Sequence, residues 1–179
     1  MKVFFFILVT FLLLIVQTVI FPSFRIFTQC FDLLIIEVLF LSLISSHHSV
    51  LISVVLIGII MDSISGAVFF HYIFSYVWIY MIVHLVKQLF FKQSFFFLLL
   101  ISAVSILIQQ SFVLFSIFVK QDMEILSSFN FITALHQLFW GLVFIPLGVW
   151  LLQVLLQIWE NMTEHLQKKI SKNIEWYLD

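Results

Sequence analysis

Residues 3–21 read VFFFILVTFLLLIVQTVIF. The run carries no charge, and only Thr10, Gln17 and Thr18 interrupt its apolar side chains. A helix needs about 20 such residues to cross a hydrocarbon core of ~30 Å. A basic residue, Lys2, stands before the run, as it would in a signal peptide. The run is nevertheless longer than the roughly 7–15 apolar residues of a cleaved leader. No small-x-small cleavage site follows, since the chain continues Pro22-Ser23-Phe24-Arg25. The stretch therefore reads as an uncleaved first membrane helix.

The rest of the chain is of the same kind. Hydrophobic residues make up 64% of its 179 residues and charged residues 9%, against about half and roughly a quarter in soluble domains. A domain of this size cannot hide so much apolar surface from water. The runs are continuous rather than alternating, which disfavours a β-barrel. The expected fold is an all-α membrane protein, a bundle of about six transmembrane helices near residues 3–21, 31–45, 50–61, 68–89, 94–119 and 131–158. The second and third are short for a bilayer and are expected to start in the interface or be shielded by neighbours. Residues 1–158 form a single membrane domain. Over residues 159–179, Trp159, Met162, Leu166, Ile170 and Ile174 recur every three or four positions among Glu and Lys. This is an amphipathic cytoplasmic C-terminal helix that lies on the inner membrane surface or docks a partner, or else a snorkelling extension of the sixth helix.

Lysine and arginine set the orientation. With the N-terminus in the cytoplasm, Lys2, Lys87, Lys92, Lys168, Lys169 and Lys172 lie inside, and Arg25 and Lys120 outside. A five-helix chain would put the last three lysines on the wrong side. The net charge of -1 says nothing about nucleic acid, but there is no basic patch to support binding it, so no nucleic-acid partner is expected. The single cysteine, Cys30, excludes an internal disulfide. His47-His48 lacks further ligands nearby and reads as a polar turn, so no metal or cofactor is expected.

Three carboxylates stand next to apolar segments, where charge is costly. Asp32 and Asp62 fall at the outer ends of helices two and three and could share a site. For either alone, termination of a helix at the interface is the simpler reading. Glu37 lies inside helix two and needs a proton or a partner, with Gln17, Gln109, Gln110 and His136 as candidates. Asp62-Ser63-Ile64-Ser65-Gly66 reads as a tight turn, with Ser63 or Ser65 capping the next helix and Gly66 free to take positive φ. His71 follows close by, within reach of Asp62. Ser102, Ser105, Gln109 and Ser116 share one face of helix five, and Thr133, Gln137, Gly141 and Gly148 mark helix six. Such stripes let membrane helices pack closely. Tyr72, Tyr76 and Tyr80, four residues apart, suit a protein contact.

Four of these passages, in this order and spacing, resemble the bacterial rod shape-determining protein MreD family. They are Gln17-Thr18-Val19-Ile20-Phe21-Pro22, Asp32-Leu33-Leu34, Met61-Asp62-Ser63-Ile64-Ser65-Gly66 and His71. Phe31 stands where the family has proline, and Phe70 where it often has glycine. The resemblance covers residues 10 to 92. It implies a non-enzymatic inner-membrane subunit of the cell-elongation complex with both termini cytoplasmic. It also implies a six-helix fold similar to the substrate-binding subunits of energy-coupling-factor transporters. The implied partner is an MreC-type single-span protein and, through it, a RodA-type glycosyltransferase, its transpeptidase and the MreB cytoskeleton. A vitamin-binding transporter subunit is the alternative, although helix one lacks the glycine or alanine such subunits use for docking. An intramembrane enzyme built on Asp32, Asp62 and His71 would lack a nucleophile or metal set.

The orientation is testable with C-terminal fusions: a fluorescent-protein fusion is expected to fluoresce and an alkaline phosphatase fusion to be inactive. The reverse result would require an odd number of spans or an N-terminus on the outside.

Overall fold

A computed structural model describes residues 2–23, 32–44, 48–65, 70–89, 95–120 and 131–175. All regular structure among these residues is helical. Helix α1 runs Lys2–Ile15, passes through a π-helical turn at Val16–Ile20 and ends with a turn at Phe21–Ser23. It is followed by α2 (Leu34–Ile44), α3 (His48–Ser65), α4 (His71–Leu89), α5 (Phe95–Lys120) and α6 (Phe131–Glu175). Three stretches are long and apolar enough to cross a membrane: Val3–Ser23, Phe96–Phe115 and Ala134–Glu164. Leu34–Ile44 and Ser49–Ser65 are apolar but shorter.

The helix α2 lies at the centre. Its sequence LIIEVLFLSLI is apolar on every side, and Leu34 through Ser42 are all buried. A helix with no polar face must be enclosed, and α1, α3, α4 and α6 enclose this one. Eleven residues at ~1.5 Å each give about 17 Å, roughly half the bilayer core. Both ends of α2 are met by side chains. Asp32 Oδ1 accepts from Leu34 N at 3.0 Å, and Lys87 Nζ donates to the Ser42 carbonyl at 3.1 Å. These are the orphan groups that a helix leaves at its termini.

The remaining helices pack in sequence, α3 on α4, α4 on α5 and α5 on α6. Glycines mark three close approaches. A Cβ on Gly58 would meet Ile73 Cα of α4 at 2.8 Å, and one on Gly148 would meet Ile36 of α2 at 2.7 Å. One on Gly141 would overlap the Ile106 side chain of α5. The small residues expected at helix contacts thus occupy them, with Gly148 facing α2 rather than α5. Ser102, Ser105 and Gln109 are buried as their stripe implies. The side chains of Ser116 and Thr133 lie outside the described residues.

The structure places the ends of the third and sixth helices. The third helix continues through Asp62 and Ser63 to Ser65 instead of stopping at Met61. Ser63 Oγ donates back to the Ile59 carbonyl at 2.8 Å, so a polar residue adds no break. The sixth helix passes residue 158 without interruption and reaches Glu175, so the amphipathic tail continues it. Pro146 sits inside that helix and is buried. The tyrosine stripe of α4 faces inward: Tyr76 is fully buried in the core.

Gly58 and Gly141 separate two kinds of crowding. Gly58→Ala is expected to lower thermal stability by about 1–3 kcal/mol, because Ile73 backbone cannot yield. Gly141→Ala meets only the end of a flexible side chain, and Ile106→Val is expected to restore part of its smaller loss. Thermal unfolding in detergent measures both.

Candidate functional site

Several of the described polar residues gather at one end of the bundle. Asp32 precedes the first turn of α2 and is buried. Its carboxylate accepts from four groups on four elements. Leu34 N of α2 donates to Oδ1. The Tyr76 hydroxyl of α4 donates to Oδ2, and Gln109 Nε2 of α5 donates to the same oxygen at 3.2 Å. Gln17 of α1 also hydrogen-bonds the carboxylate, while its Oε1 accepts from Leu33 N at 3.1 Å. Both ends of that amide are used, which fixes Nε2 as the donor to Asp32. The four donors are neutral. They solvate the charge together with the positive end of α2, and buried polar groups demand such partners.

Gln17 reaches this point from within the π turn of α1. An added residue per turn rotates the helix face, and such turns recur at functional positions. Pro22 lies in the final turn, Phe21–Ser23.

Asp62, near the end of α3, does for α4 what Asp32 does for α2. Phe74 N donates to the Phe70 carbonyl at 3.0 Å, which places Phe70 at the cap position of α4. Phenylalanine has no oxygen to offer the next N–H groups. Asp62 supplies them from the preceding helix: Tyr72 N donates to Oδ1 at 2.9 Å and Ile73 N to Oδ2 at 3.4 Å. These are the two donors that a cap side chain ordinarily serves. The cap is therefore Asp62, and neither Ser63 nor Ser65 takes that role. Ser65 instead hydrogen-bonds the Tyr72 hydroxyl. Gly66, the expected turn residue, lies outside the described residues, as do His47 and the His48 side chain. Phe70 itself has φ 73°, the left-handed region that favours glycine.

Rings join the two carboxylate centres. Tyr72 packs on Tyr76 with centroids 5.8 Å apart. His71, half-buried, meets Tyr72 edge-on at 4.9 Å and Phe112 of α5 at 6.5 Å. Asp62 and His71 are close enough to interact electrostatically. Gln17, Asp32, Asp62, Ser65 and His71, five of the residues singled out in the sequence, thus form one joint. Tyr76 and Gln109 complete it. The sequence reading places Tyr76 on a side suited to protein contact and offers Gln109 as one of four candidates for Glu37; the structure gives both to Asp32. The usable signal is burial demand: two carboxylates at one face require donors, and Gln109 lies on a small-residue face at that level.

Glu37 stands apart from this joint. Its neighbour is Thr10 of α1, with Thr10 Oγ1 and Glu37 Oε1 2.6 Å apart. None of the four expected partners fills that place. Gln17 and Gln109 bind Asp32, Gln110 Nε2 donates to Gln137 of α6, and His136 is exposed. Threonine gives little signal in a sequence because it satisfies itself in apolar helices, as Thr10 does with the Phe6 carbonyl at 2.9 Å. No group of three or more metal-ligating side chains occurs among the described residues.

Compared with protein-family models, curated proteins and solved structures, the chain matches none.

Two substitutions test the joint. Tyr76→Phe removes one donor from a buried carboxylate and is expected to lower stability by about 1–3 kcal/mol. At position 70 the usual order reverses: Phe70→Gly is expected to be more stable than Phe70→Ala by about 1 kcal/mol, because only glycine takes positive φ without strain. Chemical denaturation in detergent reads each difference.

Proposed function

We propose that this chain is a non-enzymatic membrane subunit of the bacterial cell-elongation machinery, of the MreD type, supporting rod shape and lateral peptidoglycan synthesis by binding an MreC-type partner. The observation that carries the reading is the convergence of the residues behind the resemblance. They come from four separate passages of sequence, yet Gln17, Asp32, Asp62, Ser65 and His71 meet at one end of the bundle. Phe70 adds a second support. It adopts φ 73° at the position where that family often carries glycine.

The chemistry of the joint suits a scaffold. Asp32 and Asp62 both bind helix-terminal N–H groups, and the other groups around Asp32 are neutral donors. Such carboxylates fix helix positions instead of presenting a reactive oxygen to a substrate. In this reading the six helices form a bundle in the inner membrane with both termini in the cytoplasm. The short α2 is shielded by α1, α3, α4 and α6 and need not meet lipid along its length. The joint then lies at the outer face, and the arrangement is that of an energy-coupling-factor substrate-binding subunit. Through the MreC-type protein the chain associates with a RodA-type glycosyltransferase, its transpeptidase and MreB.

Depletion in a strain with no second copy of the gene is expected to turn rods into spheres under the microscope, and a tagged chain solubilised in mild detergent is expected to recover an MreC-type protein. Unchanged cell shape together with no such recovery would contradict the assignment. A vitamin retained by the purified protein, detected by mass spectrometry, would point to the transporter class.

A further inference from the structure

Helix α1 meets the bundle along a narrow strip. Phe5 and Val9 are its buried apolar residues, while Val3, Ile7 and Phe11 are among those turned outward. Between the strip and α2 lies a contact of oxygen with oxygen, Thr10 with Glu37. Glu37 has no exposed surface. Its Oε1 is 2.6 Å from Thr10 Oγ1, and its Oε2 has no hydrogen-bond partner among the described residues. Thr10 Oγ1 is also 2.9 Å from the carbonyl of Phe6, one turn earlier.

Counting hydrogens decides what the contact is. A threonine hydroxyl has one hydrogen to donate. The Phe6 carbonyl only accepts, and an ionised carboxylate only accepts. With Glu37 ionised, two acceptors would compete for one hydrogen, and one of the two short contacts would hold none. A hydrogen on Oε1 closes the set: Oε1–H donates to Thr10 Oγ1, and Thr10 donates to the Phe6 carbonyl. Oε2 is then a neutral carbonyl oxygen. Leaving a neutral acceptor unpaired costs far less than leaving part of a buried charge unpaired.

Several charged and titratable groups on the surrounding helices have partners of their own. Asp32 of α2 holds Tyr76 of α4, and Asp62 of α3 holds the N-terminus of α4 beside Tyr72. Tyr80 and His84 of α4 stack on each other, and Lys87 donates to the Ser42 carbonyl. On α6, Glu160 follows Trp159, whose ring packs on Phe4 and Phe5 of α1, Glu164 stands one turn further on, and Lys2 opens α1. Among the described residues, the surroundings of Glu37 are set by burial and by Thr10.

We propose that Glu37 is a proton-binding site in the apolar interior, and that the bound hydrogen fastens α1 to α2. The ligand is the proton itself. Its removal would leave a bare carboxylate facing an apolar strip and would break the Oε1–Thr10–Phe6 chain, loosening a helix that touches the core through few side chains.

Infrared difference spectroscopy of the purified full chain in phospholipid nanodiscs at neutral pH tests this. The wild type minus Glu37→Gln spectrum is expected to contain the carbonyl stretch of a protonated carboxyl. Thr10→Val is expected to shift that band to higher frequency, because its acceptor is gone. The amide introduced in the Glu37→Gln control keeps a donor toward Thr10, so α1 stays docked. Wild-type protein carrying isotope-labelled glutamate carboxyls reads the same band without a substitution. Carboxylate stretches in place of the protonated band, or a band that Thr10→Val leaves unmoved, would overturn the proposal.

Discussion

A carboxylate removed from water has to be met by donors, and Asp32 meets that constraint by drawing four helices to one point. Leu34 N comes from α2, Gln17 from α1, Tyr76 from α4 and Gln109 from α5. A buried acceptor left short of donors costs ~1–3 kcal/mol for each missing bond, more when charged. The position of each helix end therefore matters to every other. α1 takes a π turn where Gln17 must reach, and Tyr76 is turned into the core and away from lipid. Asp62 repeats the device at α4, where the cap residue is a phenylalanine in a left-handed conformation with no oxygen of its own.

Polar fastening of this kind matters more in lipid than in water. Apolar side chains gain little by leaving lipid for one another, so helices associate through close packing and hydrogen bonds. The glycines supply the first: Gly58 brings α3 to α4, Gly141 brings α6 to α5, and Gly148 brings α6 to α2. Asp32, Asp62 and the Gln110–Gln137 pair supply the second. α2 needs both, because its about 17 Å is too short to cross a bilayer unaided. Its neighbours bury it on all sides, and side chains from outside the helix meet both of its ends.

Much of this was legible in the sequence, for reasons particular residues make plain. Helix positions follow from continuous apolar runs, and the buried face of α5 follows from Ser102, Ser105 and Gln109 at helical spacing. The order Gln17, Asp32, Asp62, His71 points to one end of the bundle without any distance. What escapes is facing and partnership. A stripe of tyrosines at four-residue spacing shows that Tyr72 and Tyr76 share a side, but not that the side is inward. Asp62 and Ser63 read as a helix end because polar residues usually mark one, whereas here one caps a neighbour and the other bonds its own backbone. The π turn leaves no mark in composition. Thr10 and Gln17 are seven residues apart, two turns on one face of α1, and that spacing is the available hint that α1 meets both Asp32 and Glu37.

The central claim is that Asp32 couples helices that otherwise do not bond to one another there. A double-mutant cycle between Gln17→Leu on α1 and Gln109→Leu on α5, read by chemical denaturation in detergent, measures that coupling. The structure predicts that the two losses are not additive, with an interaction energy of about 0.5–3 kcal/mol, and that the coupling disappears when Asp32 is replaced by leucine. Additive losses, or a coupling that survives the removal of Asp32, would contradict the account.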